Sequence, residues 1–98
     1  MAVVLKVVFS GLTPHQYDEL KKEVDWVNSP PEGGISHLVW WEDNDCHGVD
    51  VWESQEAWAR FGQERTGPAA AKLGIAMEAT PVFHDPHEVL IVKTMQQP

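Results

Sequence analysis

The sequence predicts an α+β fold, in which helices pack against one face of an antiparallel β-sheet. The most direct evidence is the segment 49–61, where apolar residues first alternate as in a strand and then recur with the spacing of one helix face. Ser54 stands where the pattern changes and is suited to cap the helix, with the acidic Glu56 near the positive end of the helix dipole. A β-branched N-terminal run and a second capped helix support the same class.

The first part of the chain reads as a strand, a helix and a loop. Ala2–Phe9 is rich in β-branched residues and predicts a strand. Thr13 is the expected N-cap of the first helix, because Pro14 fits the first helical position and Gln16 completes a capping box. The loop Asn28–Gly34 follows, since paired prolines and paired glycines are incompatible with a continuing helix.

Two strands, a helix and a C-terminal β region follow in the rest of the chain. We expect a polar turn at Asp43–Cys46, an interruption of the helix at Gly67-Pro68 and a kink at Asp85-Pro86. The predicted elements are strands at Ile35–Glu42 and His47–Glu53, a helix from about Gln55 to Arg65, a helical turn at Ala69–Leu73, a strand from near Met77 to His84 and an extended run at Val89–Val92.

The resulting order is β-α-β-β-α-β with an extra C-terminal strand, which is the ferredoxin-like order. We expect residues 1–98 to form a single domain whose two helices cover one face of the sheet. The other face is also apolar, and an apolar sheet face is unfavourable in water. The same face of a second copy would cover it, so the sequence predicts a homodimer in which Val89–Val92 pairs across the interface.

Charge and cysteine content exclude several classes of function. The chain of 98 residues carries 7 basic and 15 acidic side chains, a net charge of -8. Such a surface repels nucleic acid and anionic membranes. Cys46 is the single cysteine, so no internal disulfide is possible, and a cytoplasmic setting is expected. The apolar run Ala2–Phe9 is too short to span a bilayer.

Three segments together resemble the dimeric α/β-barrel superfamily, which includes small antibiotic-biosynthesis monooxygenases. These are Gly11–Asp18, Val49–Phe61 and His84–His87, and the resemblance covers about residues 3–92. It implies a ferredoxin-like homodimer. The superfamily spans cofactor-free oxygenation, haem degradation, lactone isomerisation and aromatic polyketide tailoring, so the resemblance leaves the reaction open. No phosphate-binding glycine loop or dinucleotide fingerprint is present, and we expect no cofactor and no metal.

His37 and Asp50 are the main catalytic candidates. His37 lies in a mostly apolar strand rich in tryptophan, where an imidazole suits a general base near neutral pH. Asp50 shares its face if the hairpin pairs Trp41 near Asp50, and the carboxylate would then orient the imidazole. A slip of one residue would put Val49 there instead. The alternatives are a histidine bonded to backbone in the core and an aspartate on the surface.

His87 is a third catalytic candidate, and His84 lies close to it in sequence. The pair would transfer protons at the mouth of a cavity. Metal binding is a weaker interpretation, because residues three apart on an extended segment point to opposite sides unless Pro86 bends the chain. A solvated turn is the simplest alternative.

Aromatic side chains supply the predicted contacts with a flat ligand. Trp41 and Trp52 are the main candidates for stacking. Trp40 must point to the opposite face from Trp41, and Phe61 also fits the helix core beside Trp58. The predicted substrate-contacting set is Trp41, Trp52, Trp40, His84 and Phe61.

The sequence therefore predicts a small-molecule enzyme of natural-product or aromatic metabolism. Its hydrophobic substrate would bind in a cavity between sheet and helices, and His37 would abstract or relay a proton. The reaction would be a cofactor-independent monooxygenation, a cyclisation or an isomerisation. The alternative is a non-catalytic dimer that binds a small ligand or stabilises a partner protein.

Overall fold

A four-stranded antiparallel sheet frames the protein. It consists of β1 (Val3–Phe9), β2 (Gly34–Glu42), β3 (Asp45–Trp52) and β4 (Ala79–His84) in the order β2-β3-β1-β4. The structure is a computed structural model, and it describes residues 1–92. The predicted α+β, ferredoxin-like class is confirmed.

Three helical segments lie on one side of this sheet: α1 (Pro14–Val24), α2 (Gln55–Phe61) and α3 (Gly67–Leu73). The predicted interruption at Gly67-Pro68 is wrong, because a π turn at Gly62–Thr66 joins α2 to α3 without a break. The amide of Gly67 donates to the carbonyl of Gly62, which is the wider hydrogen bond of a π turn. Proline is tolerated in the first turn of the helix that follows, where its missing N–H is not needed.

The start of α1 confirms the predicted capping box. The hydroxyl of Thr13 accepts from the amide of Gln16 at 3.1 Å, and the side-chain oxygen of Gln16 accepts from the amide of Thr13 at 3.0 Å. The helix ends at Asp25, whose φ of 57° lies in the left-handed region that ends many helices. The loop after it begins with Trp26.

The register of the β2–β3 hairpin differs from the predicted one but keeps its parity. Asp50 pairs directly with His37, while Trp41 pairs with Cys46 rather than near Asp50. The turn is also tighter than predicted, because it contains Asp43 and Asn44 alone, with φ of 51° and 68°. Two positive φ values are what a two-residue type I′ hairpin turn requires, and Asp and Asn tolerate them. Because parity is kept, His37 and Asp50 share the face beneath the helices.

The core lies between the sheet and the helices and has two parts. One is formed by the middle of β1 and the end of β3 beneath α2, and the other lies beneath α1 and α3. The buried side chains are Leu5, Val7, Trp52 and Ala57 in the first part and Leu12, Leu20, Cys46, Ala69 and Ala70 in the second.

The opposite face of the sheet carries no helix and remains apolar and exposed. Leu38, Trp40 and Val82 on this open sheet face are 59%, 42% and 48% exposed. Lys6 stands near the centre of the face, paired with Val49 on one side and Val82 on the other. Among residues 1–92, no helix is both long and apolar enough to cross a membrane.

The expected extra strand at Val89–Val92 does not form in this single chain. Within residues 1–92 the sheet ends with β4 at His84, and Pro86 offers no N–H to continue the ladder. Leu90, Ile91 and Val92 are 72%, 58% and 91% exposed. A β-prone run needs a neighbouring strand to satisfy its backbone, and local propensity alone does not supply one.

Candidate active site

The structure brings the two main candidates together. His37 and Asp50 are direct partners across the hairpin, and Nδ1 of His37 lies 2.6 Å from Oδ1 of Asp50. Side chains directly opposite on antiparallel strands share a face and are close enough to interact. The Asp50 side chain is 7% exposed, whereas that of His37 is 27% exposed, since it stands on the edge strand β2. The pair therefore runs from the interior towards the open edge of the sheet.

Trp52 completes the hydrogen bonding of the buried carboxylate. Its indole N–H donates to Oδ2 of Asp50 at 3.0 Å. A buried carboxylate needs donors to offset its desolvation, and these two contacts engage both of its oxygens. Trp52 is only 1% exposed, so neither face of its ring is open to a ligand in this conformation. Sequence reasoning predicted stacking for this residue, whereas the structure places it as a support for Asp50.

Tyr17 of α1 is a member of the site that sequence reasoning missed. Its hydroxyl lies 2.8 Å from Nε2 of His37. The carboxylate of Asp50 accepts a hydrogen bond, so Nδ1 of His37 carries the proton and Nε2 is the acceptor for Tyr17. The result is one chain of hydrogen bonds, from Tyr17 through His37 to Asp50, which we call the Tyr-His-Asp chain.

The surroundings of Tyr17 keep its phenol protonated. The pKa of Tyr17 is raised from 10.0 to about 12, first by burial and then by nearby negative charge: that of the Cys46 thiolate, which exists only at high pH, and those of the Asp50 and Asp18 carboxylates. Burial also raises the pKa of the neighbouring Cys46 thiol, from 9.0 to about 11. At neutral pH Tyr17 is therefore a hydrogen-bond donor, and Cys46 is a neutral core side chain rather than a nucleophile.

Alkaline titration should show these two shifts directly. Both groups hold their proton more tightly in the folded chain, so their contribution to the free energy of unfolding is present below about pH 9. It is lost as the pH rises through the folded pKa values of about 11 and about 12. Tyrosinate absorbance follows Tyr17 alone, because the chain has one tyrosine. We expect a midpoint near 12 in the folded protein, returning to 10.0 in concentrated urea. A folded midpoint at 10.0 would contradict this result.

Aromatic rings enclose His37 and Tyr17. The Trp26 ring lies 5.0 Å from the imidazole of His37, and it makes edge contacts with Trp52 at 5.9 Å and Phe61 at 5.4 Å. Trp41 contacts Tyr17 edge-on at 5.7 Å. Local sequence pattern does not reveal the contact of Trp26 with His37, because that contact depends on the path of the loop after Asp25.

Arg65 fixes the loop that carries Trp26. Its guanidinium donates to the carbonyl of Val24 at 2.6 Å and to that of Ser29 at 2.7 Å, so it joins the end of α1 to the loop. The same guanidinium lies 5.2 Å from the centre of the Phe61 ring. The π turn between α2 and α3 supplies this arginine, and such turns are frequent at functional sites.

Three of the predicted residues lie away from this site. Trp40 is on the open sheet face, stacked on His47 at 5.6 Å, and His84 pairs with Val4 on that same face. His87 is exposed in the segment after β4. The structure therefore does not bring His87 or His84 to His37. Within residues 1–92, no three His, Cys, Asp or Glu side chains are arranged to hold a metal ion.

The two cavities described for this chain do not adjoin His37 and so give no support to a predicted cavity beside it. One cavity of about 220 Å³ lies between α1 and α3, where Glu23 and Lys72 form an ion pair, and another of about 230 Å³ lies on the open sheet face. His37 lines neither of them. The space over its imidazole holds the Trp26 ring instead.

Comparison with solved structures confirms, at the level of the fold, the resemblance predicted from sequence. SnoaB, a cofactor-independent oxygenase from Streptomyces nogalater, superposes with a TM-score of 0.64 at 19% identity, over 91% of this chain and 96% of its own. A monooxygenase from the gene ActVA-Orf6 of Streptomyces coelicolor, in complex with nanaomycin D, gives 0.57 at 21% identity, over 94% and 93%. The NE2512 protein of unknown function from Nitrosomonas europaea gives 0.67 at 9% identity, over 95% and 96%. No family model and no curated protein matches the sequence.

Proposed function

We propose that this protein is a small-molecule enzyme that removes a proton from a hydrophobic aromatic substrate, with His37 as the final proton acceptor. The observation that carries the proposal is the contact of 2.6 Å between His37 and the buried Asp50. A carboxylate in this position holds the imidazole in one tautomer and stabilises the imidazolium that forms. Trp52 keeps the carboxylate itself in place.

Cofactor-independent oxygenation is the reaction that the comparisons favour. On an anthrone substrate, loss of a proton from the methylene group leaves a carbanion that reduces O₂ and captures it as a peroxide anion. The peroxide anion takes the proton back from His37, and the resulting hydroperoxide then loses water to give the ketone. One oxygen atom stays in the product and the other leaves as water, so no further oxidant or reductant is required. Cyclisation or isomerisation would begin with the same proton removal.

The aromatic lining favours a flat substrate. Trp26 occupies the position over His37 that the ring of such a substrate would take, with Trp52 and Phe61 at its edge. Substrate entry would therefore displace Trp26 from His37. Nanaomycin D is a useful first ligand, because a monooxygenase of similar fold binds it.

The test is oxygen uptake with the anthrone dithranol, together with NMR of His37 on addition of nanaomycin D. We expect protein-dependent oxygen consumption, with formation of the corresponding anthraquinone, and a change in the His37 ring signals. Uptake no faster than in buffer alone, together with unchanged His37 signals, would reject the proposal.

A homodimer through the open sheet face forms part of the proposal. The exposed Leu38, Trp40 and Val82 are unfavourable in water, and a second copy would cover them in a symmetric contact. The segment Val89–Val92 is also exposed. Pairing with a strand of the second copy would satisfy its backbone N–H and C=O groups.

Substitution on the open sheet face tests the dimer. Leu38→Glu places a charge where the partner should pack, so we expect a monomer by sedimentation equilibrium. Val27→Glu is the matched control, because Val27 is 70% exposed, against 59% for Leu38, and lies outside the sheet. The control should remain dimeric. A monomeric wild type, or two variants with the same mass, would reject this interface.

A non-catalytic ligand-binding dimer is the second candidate, and the closed position of Trp26 over His37 favours it. A protein of this kind would bind nanaomycin D without consuming oxygen in the presence of dithranol. Its affinity would also be unchanged by substitution of His37.

A further inference from the structure

We infer that Tyr17 is the group that takes the substrate proton, and that it passes its own proton to His37 in the same step. This inference rests on the proposed function and adds a catalytic residue to it. The observation behind it is the Tyr-His-Asp chain, in which the Tyr17 hydroxyl stands at the outer end, 2.8 Å from Nε2 of His37.

His37 has no free lone pair to offer a substrate. Its Nδ1 is engaged with Asp50 at 2.6 Å and its Nε2 with Tyr17 at 2.8 Å. The Trp26 ring lies 5.0 Å from the imidazole and is tilted by 33° to it, so it limits access from that side. Even after Trp26 is displaced, a substrate could reach Nε2 only by breaking the bond to Tyr17. The phenolic oxygen, in contrast, donates its one proton to His37 and keeps lone pairs for a second partner.

The step balances with the groups present. The C–H bond of the substrate breaks and its proton bonds to Oη of Tyr17, while the original Tyr17 proton moves to Nε2 of His37. The products are a substrate carbanion, a neutral Tyr17 and an imidazolium. Asp50 carries the compensating negative charge at 2.6 Å. The net result is one proton moved from carbon to His37, with no oxidation or reduction in this step.

The environment of Tyr17 favours transfer of the two protons in one step. A separate tyrosinate would be costly, because burial and nearby negative charge raise the pKa of Tyr17 to about 12. Concerted transfer avoids this anion, since the phenol gives up one proton as it receives another. Trp41, which contacts Tyr17 edge-on at 5.7 Å, would help to hold the ring in place.

The decisive variant is Tyr17→Phe, which removes the hydroxyl and leaves a ring of the same shape against Trp41 and His37. With dithranol as the probe, we expect kcat to fall by about 10²-fold or more, because a positioned proton-transfer group contributes on that scale. KM should change little, since the ring that contacts the substrate pocket remains. Urea unfolding should show a midpoint close to that of the wild type.

A solvent deuterium isotope effect on kcat/KM separates a catalytic role from a structural one. The Tyr17 proton exchanges with solvent and moves in the proposed step, so the wild type should show the effect. In Tyr17→Phe the residual reaction would transfer a carbon-bound proton straight to His37, so the effect should disappear. A merely structural tyrosine would leave the effect unchanged.

Failure of this inference differs from failure of the proposed function. If His37→Ala is inactive but Tyr17→Phe turns over dithranol as fast as the wild type, His37 acts directly and the Tyr17 role is overturned. If the wild type itself shows no turnover, both are overturned. A large fall in turnover in both variants, with no solvent effect on the residual turnover of Tyr17→Phe, supports both.

Discussion

Replacing His37 with alanine should lower kcat for dithranol by about 10²–10⁴-fold, the usual contribution of a general base. The proposed proton transfer ends on this imidazole, and neither of the other two predicted histidines replaces it: His84 lies on the opposite face of the sheet and His87 in the exposed segment beyond β4. Oxygen uptake under saturating substrate measures the change. The sheet should persist, because His37 stands on the edge strand β2 and its side chain is already 27% exposed.

Stability needs its own measurement in this variant. Removal of His37 takes away one of the two donors to the buried Asp50, and an unsatisfied buried group costs about 1–3 kcal/mol. Urea unfolding should show a loss of that order with no change of fold by circular dichroism. His15→Ala is the matched control, since the His15 side chain is 84% exposed at the start of α1. Retention of full turnover by His37→Ala would exclude the imidazole as proton acceptor.

Local pattern was sufficient to predict the elements that depend on neighbours in sequence. The capping box at Thr13 and the cap at Ser54 form as expected, because each is completed within three residues. The placement of Asp50 and His37 on one face also follows from local pattern, since the period of two fixes parity once the strands pair. Their direct opposition does not follow, because it depends on the turn being two residues long.

The missed parts of the site depend on contacts between distant segments. Tyr17 lies at an apolar position of α1, and its hydroxyl meets His37, 20 residues further along the chain, only in the folded protein. Trp26 reaches His37 through the loop held by Arg65, and Arg65 is 41 residues from Val24 in sequence. The position of the Trp26 ring beside His37 is likewise not predictable from local pattern, since nothing near Trp26 in sequence indicates that its ring turns inward.

Asp50→Asn should be as damaging to turnover as the loss of His37, although it changes the size of the side chain very little. Two donors point at Asp50: the indole N–H of Trp52, which can only donate, and Nδ1–H of His37. An asparagine offers one oxygen and one NH₂ group. If the oxygen accepts from Trp52, the NH₂ group faces Nδ1 of His37, which must then give up its proton and become an acceptor.

The change of tautomer at His37 also affects Tyr17, the next member of the Tyr-His-Asp chain. With Nδ1 as the acceptor, the His37 proton sits on Nε2 and points at the Tyr17 oxygen, so Tyr17 has no group that can receive its proton. We therefore expect a fall in kcat of about 10²–10⁴-fold, together with ring ¹⁵N shifts that report a change of tautomer from Nδ1–H to Nε2–H. Asp45→Asn is the matched control, because Asp45 lies on the same strand and accepts from the amide of Gly11 at 3.0 Å. An unchanged tautomer with wild-type turnover would show that Asp50 supports the fold but does not set the tautomer of His37.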